Sequence, residues 1–328
     1  MLYSPVPLHI PDGFLSILLS LVLWIVSIAV VAYAIKHVNL ELDERKVPMM
    51  GVLAAAIFAG QMLNFTVIGG TSGHLMGAAI ATILLGPWAA VLVMTSVVSI
   101  QALIFQDGGL LVLGANIFNM AVVGVAVSYF VYTTVRKLAG NRSVGIFVGG
   151  FLAAWFSVEV AALAAALELA ISGTSPANIA VPAMGGIHAL IGIGEGLITL
   201  GALGLVYTTR PDLLQAGEKR SAGGTILWIG GLLIVLALAI ASPFASANPD
   251  GLERVAEQSG FLHLAKKPMY ELIPDYLLPG VSSEALATIL AGIVGALLVL
   301  GVVLLVTLSR RKSTQQSMRD SGTSRKKQ

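Results

Sequence analysis

The uncharged run HLMGAAIATILLGPWAAVLVMTSVVSIQALIF, residues 74–105, is where the fold is decided. It exceeds the roughly 20 apolar residues that a helix needs to cross the hydrocarbon core of a bilayer. It carries one interruption, Gly86-Pro87-Trp88. Proline lacks the backbone donor that a helix interior requires and favours a turn. The run therefore predicts a tight hairpin of two membrane helices, 74–86 and 88–105. The same template slid outward finds further apolar segments at 14–35, 47–66, 109–135, 144–172, 181–208, 224–243 and 285–308. The expected fold class is all-α: a polytopic membrane protein of about nine transmembrane helices.

Composition and charge agree with that reading. Of the 328 residues, 56% are hydrophobic and 11% are charged, and the mean hydropathy is +0.89, far more apolar than a soluble domain. A net charge of +2 is too small to suggest nucleic acid as a partner. The basic residues report topology instead, because cytoplasmic loops hold the excess of Lys and Arg. With the N-terminus outside, sixteen Lys and Arg fall inside, at 36–46, 136–142, 210–220 and 310–327, and only Arg254, Lys266 and Lys267 fall outside. Miscounting one middle helix would invert everything after it, so the asymmetry supports nine helices and a cytoplasmic C-terminus. No Lys or Arg precedes the first apolar run, which is read as a retained helix and not as a secretory signal. The chain then divides into a seven-helix block, 1–210, a polar linker, 211–223, a two-helix hairpin, 224–310, and a tail, 311–328. The hairpin encloses a long outer loop from Pro243 to Glu284, and the Ser-, Arg-, Lys- and Gln-rich tail is expected to be disordered.

The absence of cysteine leaves nitrogen and oxygen as the available metal ligands. The topology places His9, His74, His188 and His263 on the outer side and only His37 in the cytoplasm. Two or three imidazoles together suit nickel, cobalt, copper or zinc. Turn-rich runs lie beside the histidines: His9-Ile10-Pro11-Asp12-Gly13-Phe14-Leu15, Gly70-Thr71-Ser72-Gly73-His74-Leu75 and, on the same side, Phe105-Gln106-Asp107-Gly108-Gly109. Irregular backbone at membrane depth is tolerated only where protein or a water-filled cavity covers it, so these runs are expected to cluster over the outer mouth.

These runs, with Leu113-Gly114-Ala115-Asn116-Ile117-Phe118-Asn119-Met120 and His188-Ala189-Leu190-Ile191-Gly192-Ile193-Gly194-Glu195-Gly196, resemble the CbiM/NikM family, over roughly residues 8–210. Those are the cobalt and nickel capture subunits of energy-coupling-factor transporters. Asn248-Pro249-Asp250-Gly251-Leu252-Glu253 resembles the signature of their two-helix companion, the CbiN/NikN or PDGLE type, so the chain looks like a fusion of the two.

The resemblance implies that His9 and His74 supply nitrogen ligands in a near square-planar site for Ni(II) or Co(II), carried as cargo with no resident cofactor. In the family the first histidine follows the initiator methionine directly, so that the terminal amine and the following backbone nitrogen also coordinate. Here Leu8 stands at that position with seven residues before it. Translation from the Leu8 codon would restore the pattern; otherwise the site must use imidazoles or other donors. Asn116 and Asn119, at i and i+3, are read either as orienting the ligating loop or as helix-to-helix hydrogen bonds. His188 and Glu195 share a helix face and are candidate cavity residues. Gly51, Ala55 and Ala59 form a small-residue stripe, which the resemblance assigns to docking on a transmembrane coupling protein joined to cytoplasmic ATPases.

The expected function is the substrate-specific component of such an importer, in a prokaryotic cell membrane. The chain holds no Walker A loop and no HExxH pattern, so it is not expected to be an enzyme; ATP hydrolysis falls to partners. The acidic outer loop, with Asp250, Glu253, Glu257, His263, Glu271, Asp275 and Glu284, is expected to attract a cation or to contact the N-terminal loop, the third reading being a passive solvated loop. The alternative is an ion-coupled secondary transporter using Glu159, Glu168 or Glu195. A metalloenzyme lacks a general base beside His74, and a vitamin-binding subunit would need an aromatic-lined cavity, whereas 7% of the chain is aromatic.

Overall fold

Uninterrupted apolar stretches leave the backbone no water to bond, so their N–H and C=O groups pair within helices. The computed structural model describes residues 9–41, 46–140, 142–214 and 224–325. It is built from helices α1 (Ile17–Glu41), α2 (Lys46–Gln61), α3 (Ala78–Leu85), α4 (Pro87–Ile104), α5 (Leu113–Ile117), α6 (Gly124–Leu138), α7 (Ser143–Ile171), α8 (Ala177–Thr209), α9 (Gly224–Ala241), α10 (Gly251–Gln258) and α11 (Glu284–Arg325). A π-turn, Phe118–Val123, joins α5 to α6 without a break. Among the described residues, six stretches are long and apolar enough to cross a bilayer: 17–38, 87–104, 113–138, 143–171, 177–209 and 284–306. The shorter apolar helices 47–61 and 228–244 accompany them. The protein is a multi-pass membrane protein.

The hairpin expected at 74–105 is present but unequal. α4 begins at Pro87, the first helical position where proline costs nothing. The other limb differs: 74–77 are not helical, and α3 has eight residues, about 12 Å at the α-helical rise. It is a half-helix surrounded by protein, with Ala78, Ala79, Ala81 and Thr82 buried. What periodicity could not show is that Gly77, at φ +81°, turns the chain into the helix late.

The other departures have local causes. β1 (Phe65–Val67) and β2 (Thr71–Gly73) pair antiparallel in the register Thr66 opposite Ser72, closed by Gly69 and Gly70 in left-handed conformations. α2 therefore stops at Gln61, short of the expected 66. α11 runs on to Arg325, so 311–325 are helical where disorder was expected; extending an existing helix avoids the nucleation cost.

The small-residue stripe is a correction. Gly51, Ala55 and Ala59 are buried against the chain's own C-terminal hairpin; a Cβ on Gly51 would lie 2.8 Å from Leu300 and 3.3 Å from Leu304. α9 packs on the same helix, and a methyl at Gly231 would overlap Val52. Small residues at that seam admit a close helix, but the helix they admit is internal. Among the described residues, the chain's own hairpin occupies the face at Gly51.

Candidate functional site

Four irregular segments from distant parts of the sequence meet at one end of the bundle, as their turn-rich composition predicted. Residues 9–12 lie along 107–112: Gly109 N–H donates to Ile10 O at 2.9 Å, and Asp12 Oδ1 accepts from Leu111 and Val112 N–H at 2.9 and 3.2 Å. Glycine is required here, because a Cβ on Gly109 would stand 2.1 Å from Asp12 Oδ1. The 65–73 hairpin bonds the outer loop, Ser72 N–H donating to Pro249 O at 2.8 Å. Lys266 N–H donates to Asp12 O at 2.7 Å, closing the loop over the N-terminal segment. Of the two expectations for the acidic loop, contact with the N-terminal segment is what the structure displays.

Beneath these loops is a cavity lined by His9, His74, His188, Asn116, Asn119 and Asp250, with methionine and aliphatic side chains completing the wall. Among the described residues no Phe, Tyr or Trp lines it, so that lining offers no stacking surface of the kind a vitamin would use. The His9 and His74 rings are 5.6 Å apart, edge to face at 77°. Each of the three histidines directs Nδ1 at an oxygen that can only accept: His9 at Asp107, His74 at Leu75 O (3.0 Å) and His188 at Met184 O (2.8 Å). In its neutral form each ring thus carries its proton on Nδ1 and presents a lone pair on Nε2. Among the described residues, His9 Nε2 is buried with no hydrogen-bond partner, as is Asn119 Oδ1.

The asparagines divide the two roles foreseen for them. Asn116 holds the His9 segment: its Oδ1 accepts from Ile10 N–H and its Nδ2 donates to Ile10 O, both at 3.1 Å. Asn119 instead bridges helices, donating to Glu168 Oε2 on α7 at 2.9 Å. Glu195 does not line the cavity. Its carboxylate accepts from Met76 and Gly77 N–H at 2.7 and 2.8 Å, tying the start of α3, and so the His74 loop, to α8. His263 is exposed and bonds Gly260 O, and His37 stacks on Tyr33 and Trp88; neither reaches the cavity.

Two residues that the sequence did not single out complete the arrangement. Asp107, 4% exposed, takes His9 N–H on Oδ1 at 3.2 Å and holds His9 Nδ1 at 3.2 Å. Tyr276 donates to Asp107 Oδ2 at 2.5 Å. Burial alone would lower the His9 pKa, but the charge and hydrogen bonds of Asp107 outweigh it and hold the imidazole above its ordinary value. Burial likewise favours a neutral Asp107, and His9 reverses it, leaving the carboxyl below its usual range. Asp250 caps α10 through Glu253 N–H at 2.7 Å, and burial pushes its carboxyl up to about 7. Asp107 lay inside a quoted run, where it read as a turn former. Tyr276 left no signal, since its partner is 169 residues away.

Among the described residues, no group of three or more His, Asp or Glu side chains closes into a metal cage. Residues 1–8, which bear on the expected amine ligand, lie outside the described residues.

Compared with known proteins, residues 9–213 match the family described as cobalt uptake substrate-specific transmembrane region, and residues 224–312 match the PDGLE domain. A putative fused nickel transport protein NikMN of Archaeoglobus fulgidus is 40% identical over 301 residues, covering 90% of this chain and 96% of that protein. A fused nickel transport protein NikMN of Rhodobacter capsulatus is 30% identical, covering 93% of this chain and 99% of that protein. A cobalt transport protein CbiM of Geobacter sulfurreducens is 31% identical, with 81% of each chain covered. A crystal structure of a transition metal transporter superposes with a TM-score of 0.54 at 36% identity, covering 61% of this chain and 92% of that one.

Proposed function

The chain belongs to the CbiM family of cobalt-uptake substrate-specific transmembrane proteins, here fused to a PDGLE domain, and from that premise we propose that it is the capture subunit of an energy-coupling-factor importer of Ni(II) or Co(II). It is a metal-transport component and not an enzyme. In the proposed mechanism the cation is bound on the outer side, with the N-terminus outside and nine crossings, by His9 and His74, with His188 facing the same cavity. Asn116 and Asp107 hold the His9 segment, and Glu195 holds the His74 segment. Partner ATPases, acting through a transmembrane coupling protein, then drive release inward. The two units are 1–210 and 224–310.

The observation that carries the reading is the shared orientation of the three cavity histidines. Each directs Nδ1 at an acceptor, and His9 Nε2, buried and without a hydrogen-bond partner among the described residues, is a nitrogen that a borderline cation would take. The relatives that share the fused arrangement over nine tenths of the chain are named for nickel, which makes nickel the first ion to test. For a self-sufficient secondary transporter, Glu195 is occupied by two backbone donors and one oxygen of Glu168 by Asn119, while Glu159 Oε2 and Glu168 Oε1 have no hydrogen-bond partner among the described residues.

Elemental analysis of protein purified from the Met1 and the Leu8 starts, each with a His74→Ala control, tests the site. One equivalent of nickel or cobalt, lost with His74, supports it, and metal-free protein in every form rejects it. Uptake by cells lacking the ATPase partners would reject the energy-coupling reading in favour of the secondary transporter.

A further inference from the structure

The cavity wall holds a polar pair that the capture reading leaves unused. Asn119 sits in the π-turn between α5 and α6, is 5% exposed and lines the cavity. Such turns are rare and recur at functional positions. The wall around it is apolar, with Met120 on the same turn, Val158, Ala161 and Ala165 on α7, and Met184 on α8. Asn119 Nδ2 donates to Glu168 Oε2 at 2.9 Å, and this contact fixes the amide. Flipped, the amide would set two oxygens face to face, so its nitrogen belongs on Glu168 and its oxygen is turned away. Among the described residues Asn119 Oδ1 has no hydrogen-bond partner, and neither has Oε1 of Glu168, which is also 5% exposed. Asn116, the other cavity asparagine, has both polar atoms on Ile10. A buried amide oxygen without a donor is unfavourable, and the apolar wall offers it none. The cavity has space to supply one: about 110 Å³ is accessible to water, several times the roughly 10–15 Å³ that a single water requires.

We propose that Asn119 is a specificity-determining residue of the cavity: its fixed amide oxygen enters the coordination shell of the captured ion, directly or through one metal-bound water. The proposal rests on the reading that Ni(II) or Co(II) is held in this cavity, and it adds an oxygen donor to the nitrogen donors of that reading. The consequence is a choice between ions. A planar set of nitrogen donors satisfies low-spin Ni(II), whereas Co(II) readily takes a fifth or sixth ligand, so the added oxygen favours cobalt. Glu168 acts through Asn119. By accepting from Nδ2 it keeps the amide in one orientation and polarises it, as a carboxylate does behind a metal-bound histidine.

The test is binding of Ni(II) and of Co(II) to the purified full-length chain, read as affinity by chelator competition and as the ligand-field absorption of each bound ion. The variants are Asn119→Leu, Glu168→Gln, the two combined, Asn119→Leu with Glu168→Met, and His74→Ala. Asn119→Leu is expected to weaken Co(II) binding about 10- to 100-fold, the loss typical of a residue supporting a metal site, and Ni(II) binding by less, with displaced cobalt bands. Glu168→Gln, whose amide can donate to Asn119 Oδ1 and turn it from the cavity, should shift the cobalt-to-nickel ratio in the same direction. Combined with Asn119→Leu it should add nothing, because both act through one amide. Should Asn119→Leu fail to fold with Glu168 left unpaired, the pair Asn119→Leu and Glu168→Met removes both polar groups and is read in its place. Unchanged cobalt affinity and bands, equal losses for both ions, or additive losses would each overturn the proposal. His74→Ala separates the two levels. Binding of both ions lost there, with Asn119→Leu like the wild type, sinks the role of Asn119 alone, and binding intact in His74→Ala, or absent from the wild type, sinks the site and the proposal together.

Discussion

Each cavity imidazole can take a cation only as the neutral ring, and this sets the pH behaviour of the site. The Asp107 carboxylate raises the His9 pKa against the opposing effect of burial, and burial carries Asp250 to about 7. In the metal-free protein both groups therefore hold protons near neutrality that a divalent ion would displace. Affinity should fall as pH drops through the raised His9 value, by about tenfold per pH unit for each proton displaced, and level off above it. Calorimetry of Ni(II) binding at pH 6.5 in buffers of different ionisation enthalpy would show proton release; enthalpies independent of buffer would refute the assignment. Gly109→Ala places a methyl on Asp12 Oδ1 and backbone N, where neither side is flexible. Nickel affinity in that variant should fall, since the 9–12 segment cannot seat, and an unchanged affinity would detach that segment from the site. At this scale the sequence was informative about residue type and turn chemistry. His9, His74 and Asn116 were legible, whereas Asp107 hid in a turn motif and Tyr276 reached its partner only by folding.

Among the elements, the half-helix α3 decides where His74 sits. An α-helix leaves its first N–H groups unbonded, and the Glu195 carboxylate accepts from the two backbone amides that lead into α3. Glu195→Ala would leave two donors unpaired inside the protein at about 1–3 kcal/mol each, and Glu195→Gln, which keeps one acceptor oxygen, should lose less. Thermal unfolding in detergent is expected to rank wild type above Gln above Ala, with nickel affinity following the same order; identical midpoints would argue that the contact is dispensable. Element existence and most boundaries were legible from apolar length. The half-helix was not, because an uncharged run reads the same whether the chain crosses the membrane or turns back within a protein shell. A carboxylate 118 residues downstream of Gly77 decides between those outcomes.

For the whole molecule, the C-terminal hairpin is part of the bundle. A Cβ on Gly295 would stand 2.1 Å from the Phe58 ring, and Gly51 faces Leu300. Residues 1–213 and 224–328 expressed as separate chains should therefore co-purify from membranes, and Gly295→Val should reduce their association. Recovery of the first piece free of the second would contradict the packing. The cysteine-free chain also permits a direct test of orientation: Ser282→Cys should react with an impermeant thiol reagent in intact cells and Lys137→Cys only after lysis, with the reverse result inverting the topology. The sequence by itself determined the membrane class, the distribution of basic charge, the family resemblance and the histidines, because these depend on composition and local pattern. Only the tertiary structure decided which face the small-residue stripe serves, which atoms hold each histidine, and that the outer loop reaches His9 through Tyr276 and Asp107. The stripe's partner and the link from Tyr276 through Asp107 to His9 depend on contacts between segments 98 or more residues apart, where no local periodicity records the partner.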